Sequence, residues 1–190
     1  MFMLIIGIIL FFGVHAISII NESWRDAMVK RYGEITWKAI YSLVSIVGFT
    51  LIVKGYIASH DDSTLLYTSP EWLNFVAMVL LIPVFPLLLA VYIPGRIKSL
   101  IQHPMLVATI LWSAAHLLIN GRLADILLFA SFLLWALFDL ISLKKRRQRQ
   151  LPSIPKTPYN DIIAITVGLA IYGSIILWLH TWLAGIPLTR

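Results

Sequence analysis

The chain has 190 residues, 59% hydrophobic and 13% charged, with a formal net charge of +6 and a mean hydropathy of +0.87. A soluble domain carries about a quarter charged residues, so a soluble globular fold is excluded. The absence of cysteine excludes disulfides, zinc–thiolate sites and iron–sulfur clusters, and leaves five histidines as the nitrogen ligands available to a metal.

Six apolar blocks follow one another at residues 3–20, 36–58, 72–93, 104–119, 123–143 and 161–183. None alternates with a period of two, and each approaches the roughly 20 residues that a membrane-spanning helix needs. The first block runs without a small-residue cleavage pattern into Asn21, Glu22, Ser23, Trp24 and Arg25, so it reads as a retained helix. Pro83 and Pro86 fall inside the third block and predict a kink there. The fourth block is the shortest and most polar; it begins at His103-Pro104 and ends at the turn signal Asn120-Gly121. Residues 151–158 are proline-rich and read as a stiff extended linker.

Twelve of the fifteen lysines and arginines lie in the first, third and fifth connections. The positive-inside rule then puts those connections in the cytoplasm and both termini on the outer side. The basic run at 144–149 serves as an orientation determinant that also meets anionic headgroups; it lacks the interleaved aromatics of a nucleic-acid site. Trp24, Trp37, Trp72, Trp178 and Trp182 sit near block ends, where amphipathic rings favour the headgroup zone. The expectation is an all-α polytopic bundle of about six spans, a single domain over 1–190 in a bacterial cytoplasmic membrane.

Polar and ionisable groups inside spans normally face a protein interior or a ligand. In the fourth block Thr109, Ser113, His116 and Asn120 share a narrow helical stripe flanked by Trp112. His103 and His116 are thirteen residues apart, about 20 Å along a helix and on opposite sides, so they cannot grip one metal together. In the first block His15 lies within a turn of Phe11, Phe12 and Ser18. Two imidazoles from different helices suit the two faces of a haem iron, with Arg25, Arg96 and Lys98 available for its propionates. They equally suit plain hydrogen bonding between helices. His60 and His180 read as interfacial side chains, Arg122 and Asp125 as a helix-start ion pair, and Asp139 as a partner of the basic run. No nucleophile–base set and no phosphate-binding glycine loop is present.

Several separate motifs, in order, resemble the NnrU family of bacterial membrane proteins. They are Phe12-Gly13-Val14-His15, Ser23-Trp24-Arg25, Gly33-Glu34, Trp37-Lys38 and Tyr41-Ser42-Leu43-Val44-Ser45. His103-Pro104, Trp112, Ala115-His116-Leu117 and Asn120-Gly121 complete the series, which spans about residues 1–140. The family was named for a link to nitric oxide and nitrite metabolism, and the plant zeta-carotene isomerases, which bind haem b through histidines, are similar to it. The resemblance implies haem b as cofactor, with His15 and His116 as iron ligands and His103 as the alternative. It also implies a membrane redox partner and a hydrophobic small-molecule substrate, through redox-linked chemistry or cis–trans isomerisation. A weaker likeness is to isoprenylcysteine carboxyl methyltransferases, whose Arg-His-Pro-x-Tyr motif has Gln102 and Leu106 at its arginine and tyrosine positions here. A non-catalytic accessory role is the remaining alternative.

Overall fold

The six apolar blocks become helices at nearly the expected bounds. The computed structural model describes residues 1–146 and 153–184, and within them the chain is helical with no strand. In chain order the helices are α1 (Phe2–Ile20), α2 (Glu22–Tyr32), α3 (Glu34–Ser59), α4 (Trp72–Leu81) and α5 (Val84–Tyr92). They continue as α6 (Arg96–Leu100), α7 (Pro104–Ile119), α8 (Leu123–Ser142) and α9 (Asn160–Ser174), which passes through a π-helical turn, Ile175–Leu179, into α10 (His180–Ala184). Arg147 and Arg149 of the basic run, the first two residues of the proline-rich linker and Arg190 lie outside the described residues.

Among the described residues five segments are long and apolar enough to cross a membrane: Phe2–Ile20, Glu34–Ser59, Trp72–Tyr92, Leu123–Ser142 and Asn160–Trp182. The fourth block, α7, has 16 residues, about 24 Å of helix against a hydrocarbon core of about 30 Å. Its ends are fixed by sequence: Pro104 takes the first helical position, where its missing N–H costs nothing, and the helix stops at Asn120. The kink expected from the prolines is a break. The Ile82 N–H turns to Val79 O at 3.3 Å, three residues back, and α5 restarts behind Pro83.

The chain divides into two compact units. The first takes residues from Met1 to Tyr67 and from Gly121 onward through α8. Its α1 and α3 run antiparallel, with Leu4 against Gly55, Gly7 against Ile52 and Phe11 against Gly48. A Cβ on Gly48 would lie 2.8 Å from Phe11 N, and one on Gly7 2.9 Å from Gly48 O. Lipid tails are as apolar as leucine, so close backbone approach at small residues drives such pairing. Helix α8 adds Phe132, whose ring centroid is 4.9 Å from that of Phe12, and Phe129, 6.3 Å from Tyr56. Helix α2 is polar, capped by the Asn21 side chain, which accepts from the Trp24 N–H at 2.9 Å. Gly33 at φ +86 ends it, a conformation that favours glycine.

The second unit takes Thr68 to Asn120 and the segment carrying α9. Val84, Leu87 and Ala108 form its buried core, with Trp112, Leu111 and Ile97 packed on it. Gly168 of α9 lets that helix close on Pro86 of α5. Asp161 accepts from the N–H groups of Arg96 and Ile97 at 2.7 and 3.1 Å, satisfying two donors that the start of α6 leaves open. Asn160 ties the linker down by donating to Pro94 O and Pro155 O at 2.9 and 3.1 Å.

Candidate functional site

His15 lies in α1 of the first unit, half-buried among aromatic rings. Its ring stacks on Phe11 at 4.1 Å and 27°, stands 5.1 Å from Tyr41, and meets Trp135 edge-on at 5.7 Å. Its Nδ1 is 2.6 Å from Phe11 O. A carbonyl only accepts, so Nδ1 carries the proton and Nε2 the lone pair. Ligating histidines commonly have this arrangement, since a carbonyl behind the ring fixes its tautomer and orientation. The indole Nε1 of Trp135 and the Ser45 hydroxyl, a turn from Tyr41 on α3, are buried with no hydrogen-bond partner. Buried donors are nearly always satisfied, so among the described residues these two groups on α3 and α8 hold hydrogen-bonding capacity that the protein itself does not use.

His116 lies in α7 of the second unit and repeats the motif, with Nδ1 2.8 Å from Trp112 O and its ring 5.1 Å from the Trp112 ring. The stripe predicted on this helix has its most buried member in Ser113, with no exposed surface. The Ser113 hydroxyl donates to Thr109 O at 2.7 Å, and the Thr109 hydroxyl to Met105 O at 2.9 Å. These hydroxyls are therefore satisfied by their own helix. His103 caps α7 and is half-buried; its carbonyl accepts from the Val107 N–H at 3.1 Å. His103, His116 and His180 fall in the second unit, and His15 and His60 in the first.

The residues fit an axial-ligand role one histidine at a time, through ring tautomer. Among the described residues no group of three or more histidines and carboxylates is placed to hold a metal ion. Two of the cations expected for propionates have other partners: Arg25 pairs with Asp26 at 2.9 Å, and Lys98 donates to Val91 O at 2.8 Å. Asp139 pairs with Arg146 of the basic run, as the sequence predicts, and also accepts from the Ser142 hydroxyl.

Sequence reasoning missed one cluster, in the first unit. His60, expected at the surface, is only 8% exposed at the end of α3. Asp125, expected in an ion pair with Arg122, is 1% exposed and accepts the Arg122 backbone N–H at 3.0 Å and the Tyr56 hydroxyl at 2.7 Å. The Arg122 guanidinium instead donates to the carbonyls of Asp61 and Ser63 at 2.8 and 3.0 Å. His60 sits between two carboxylates, Nε2 3.3 Å from Asp125 Oδ1 and Nδ1 3.0 Å from Asp61 Oδ1. Burial, and secondarily the charge of Asp125, pushes the Tyr67 hydroxyl above its ordinary range. The signal was present in the sequence: Tyr56, Ser59, His60 and Ser63 recur at helical spacing at the end of the second apolar block, and Asp125 puts a carboxylate at the start of the fifth.

No curated protein and no solved structure matches the chain. A family model described as NnrU protein matches residues 3–188, beyond the 1–140 over which individual motifs are readable. That match covers nearly the whole chain and agrees with the all-helical, membrane-type architecture, so the chain belongs to the NnrU family.

Proposed function

We propose that the protein is a haem b-binding membrane protein with His15 and His116 as axial ligands and His103 as the alternative to His116. The carrying observation is shared by both histidines: each ring is held through Nδ1 by the carbonyl four residues earlier, which leaves the basic lone pair on Nε2. Haem, when bound, supplies one-electron redox chemistry. The chain's own contribution is to fix the two rings and to surround His15 with Phe11, Tyr41 and Trp135, a low-dielectric aromatic shell. Redox-linked nitrogen-oxide metabolism or cis–trans isomerisation of a hydrophobic substrate is the activity class proposed, with a membrane redox partner.

In the same proposal the chain spans a bacterial cytoplasmic membrane six times, with both termini outside. The bias of lysine and arginine supports the orientation. The mismatch of α7 is the kind that local bilayer thinning absorbs. A second reading, a non-catalytic accessory subunit, is favoured by the self-satisfied stripe of α7, whose hydroxyls spend their hydrogen bonds inside the helix.

Absorption spectroscopy of detergent-purified protein supplied with haem separates the two. The haem reading expects a Soret band that His15→Ala and His116→Ala each abolish or shift and His60→Ala leaves in place. A band insensitive to His116→Ala moves the second ligand to His103. No band at all leaves the accessory reading.

A further inference from the structure

The His60 cluster is chemically distinct from the histidines assigned to haem, and the haem reading makes no use of it. It contains a carboxylate inside a membrane-type helix, Asp125, which is costly unless paired or proton-linked. Its geometry sets a proton count. A carboxylate oxygen is an acceptor, so each ring nitrogen facing one must bring an N–H, whereas a neutral imidazole has one N–H in all. His60 faces carboxylate oxygens on both sides, at 3.0 and 3.3 Å. With both carboxylates ionised, only a ring protonated on both nitrogens serves both. The Asp61 side chain is 90% exposed while that of Asp125 is 2% exposed, so one side of the ring meets water and the other the protein interior.

The charged and titratable groups around His60 are few. Tyr56 comes from α3, Asp61 and the exposed Asp62 from the loop, and Tyr67 from the end of that loop; Arg122 and Asp125 come from the start of α8. The Arg122 guanidinium is directed to backbone carbonyls of the loop. The end of α1 that packs beside this part of α3 carries no charged side chain between Met1 and Gly13; the Met1 α-ammonium at that end is common to wild type and both variants.

We propose that His60 is a proton-binding site, open to water through Asp61, and that its bound proton clasps the loop after α3 to the start of α8. With the proton bound, His60 donates to Asp61 and Asp125 together. The same loop already holds α8 through the Thr64 carbonyl, which accepts from the Leu123 N–H at 2.8 Å, and through the Leu66 N–H, which donates to Gly121 O at 2.8 Å. When the ring loses its second proton, the Asp61 contact is left acceptor against acceptor, and water takes over the exposed carboxylate. The clasp is thus complete with both ring nitrogens protonated and is lost when the second proton leaves.

The test is thermal unfolding of the full haem-free chain in lipid nanodiscs between about pH 5 and pH 8, the window of histidine titration. Wild type is compared with His60→Gln and Asp61→Asn; the other four histidines are common to all three. The expected result is a wild-type Tm that falls on the order of 2–4 °C across the window, a fall absent in His60→Gln and reduced in Asp61→Asn. The exposed Asp61→Asn substitution keeps the test valid if His60→Gln fails to fold. Equal pH dependence in wild type and either variant overturns the proposal.

Discussion

Gly48 and Gly13 form a matched pair of helical glycines that differ only in what surrounds them. A Cβ on Gly48 would stand 2.8 Å from Phe11 N and 3.1 Å from both Phe11 Cα and Cβ, whereas one on Gly13 meets nothing within 4 Å. Alanine gains about 0.8–1 kcal/mol of helix propensity over glycine at either site. At Gly48 the backbone of α1 must retreat by about half an ångström or more, an overpacking cost of about 1–3 kcal/mol. Gly13→Ala should therefore stabilise by up to about 1 kcal/mol. Gly48→Ala should fall about 1–3 kcal/mol below it.

The displaced residue, Phe11, is also the one whose carbonyl holds the His15 ring. Gly48→Ala should therefore weaken haem retention from a position that touches no ligand, while Gly13→Ala, two residues from His15, should not. The assay is reversible unfolding in mixed micelles with a parallel haem titration. Equal stability of the two variants would refute the packing argument. Unequal stability with equal haem affinity would refute the link from Phe11 to His15.

Other consequences follow from particular contacts. A Tyr56→Phe/Asp125→Asn double-mutant cycle should give a coupling of about 1–2 kcal/mol in the same micelle assay; hydrogen bonds inside membranes average about 0.6, but a charged acceptor raises the value. A coupling near zero would show that the 2.7 Å contact carries no energy. Asp161→Ala leaves the N–H groups of Arg96 and Ile97 without their acceptor and should cost about 1–2 kcal/mol, read from unfolding, with amide exchange of those residues accelerated. Tyr67 should ionise at higher pH than free tyrosine in an ultraviolet titration, and Asp125→Asn should lower that value because one cause of the rise is removed. Since folding raises this ionisation, its contribution to stability is lost as pH rises through the tyrosine range.

The helices were legible because apolar length is the dominant signal in lipid, and the blocks at 3–20, 104–119 and 123–143 match α1, α7 and α8 to within a residue or so. Helix α2 was not legible: its sequence is polar all round, and only the Asn21 cap and Gly33 mark its ends. The break at Pro83 was visible as a kink but not as two helices, because the outcome depends on which carbonyl captures the Ile82 N–H. Of the histidines, His15 and His116 were singled out by their place inside apolar blocks. The carbonyl behind each ring is a consequence of rotamer, which spacing does not report. His60 was misplaced because a loop next to acidic residues reads as solvent-facing; burial arises when residues 63–67 fold back on Gly121–Leu123, contacts some sixty residues apart in sequence.

The most direct test of the haem assignment is a haem titration of the purified protein followed by absorption, in wild type and in a variant carrying Phe11, Tyr41 and Trp135 intact but His15→Ala. The account predicts saturable binding with a low-spin, two-nitrogen spectrum in wild type and its loss or conversion on removal of the single imidazole. A wild-type chain that takes up no haem, or one whose spectrum is indifferent to His15, contradicts it.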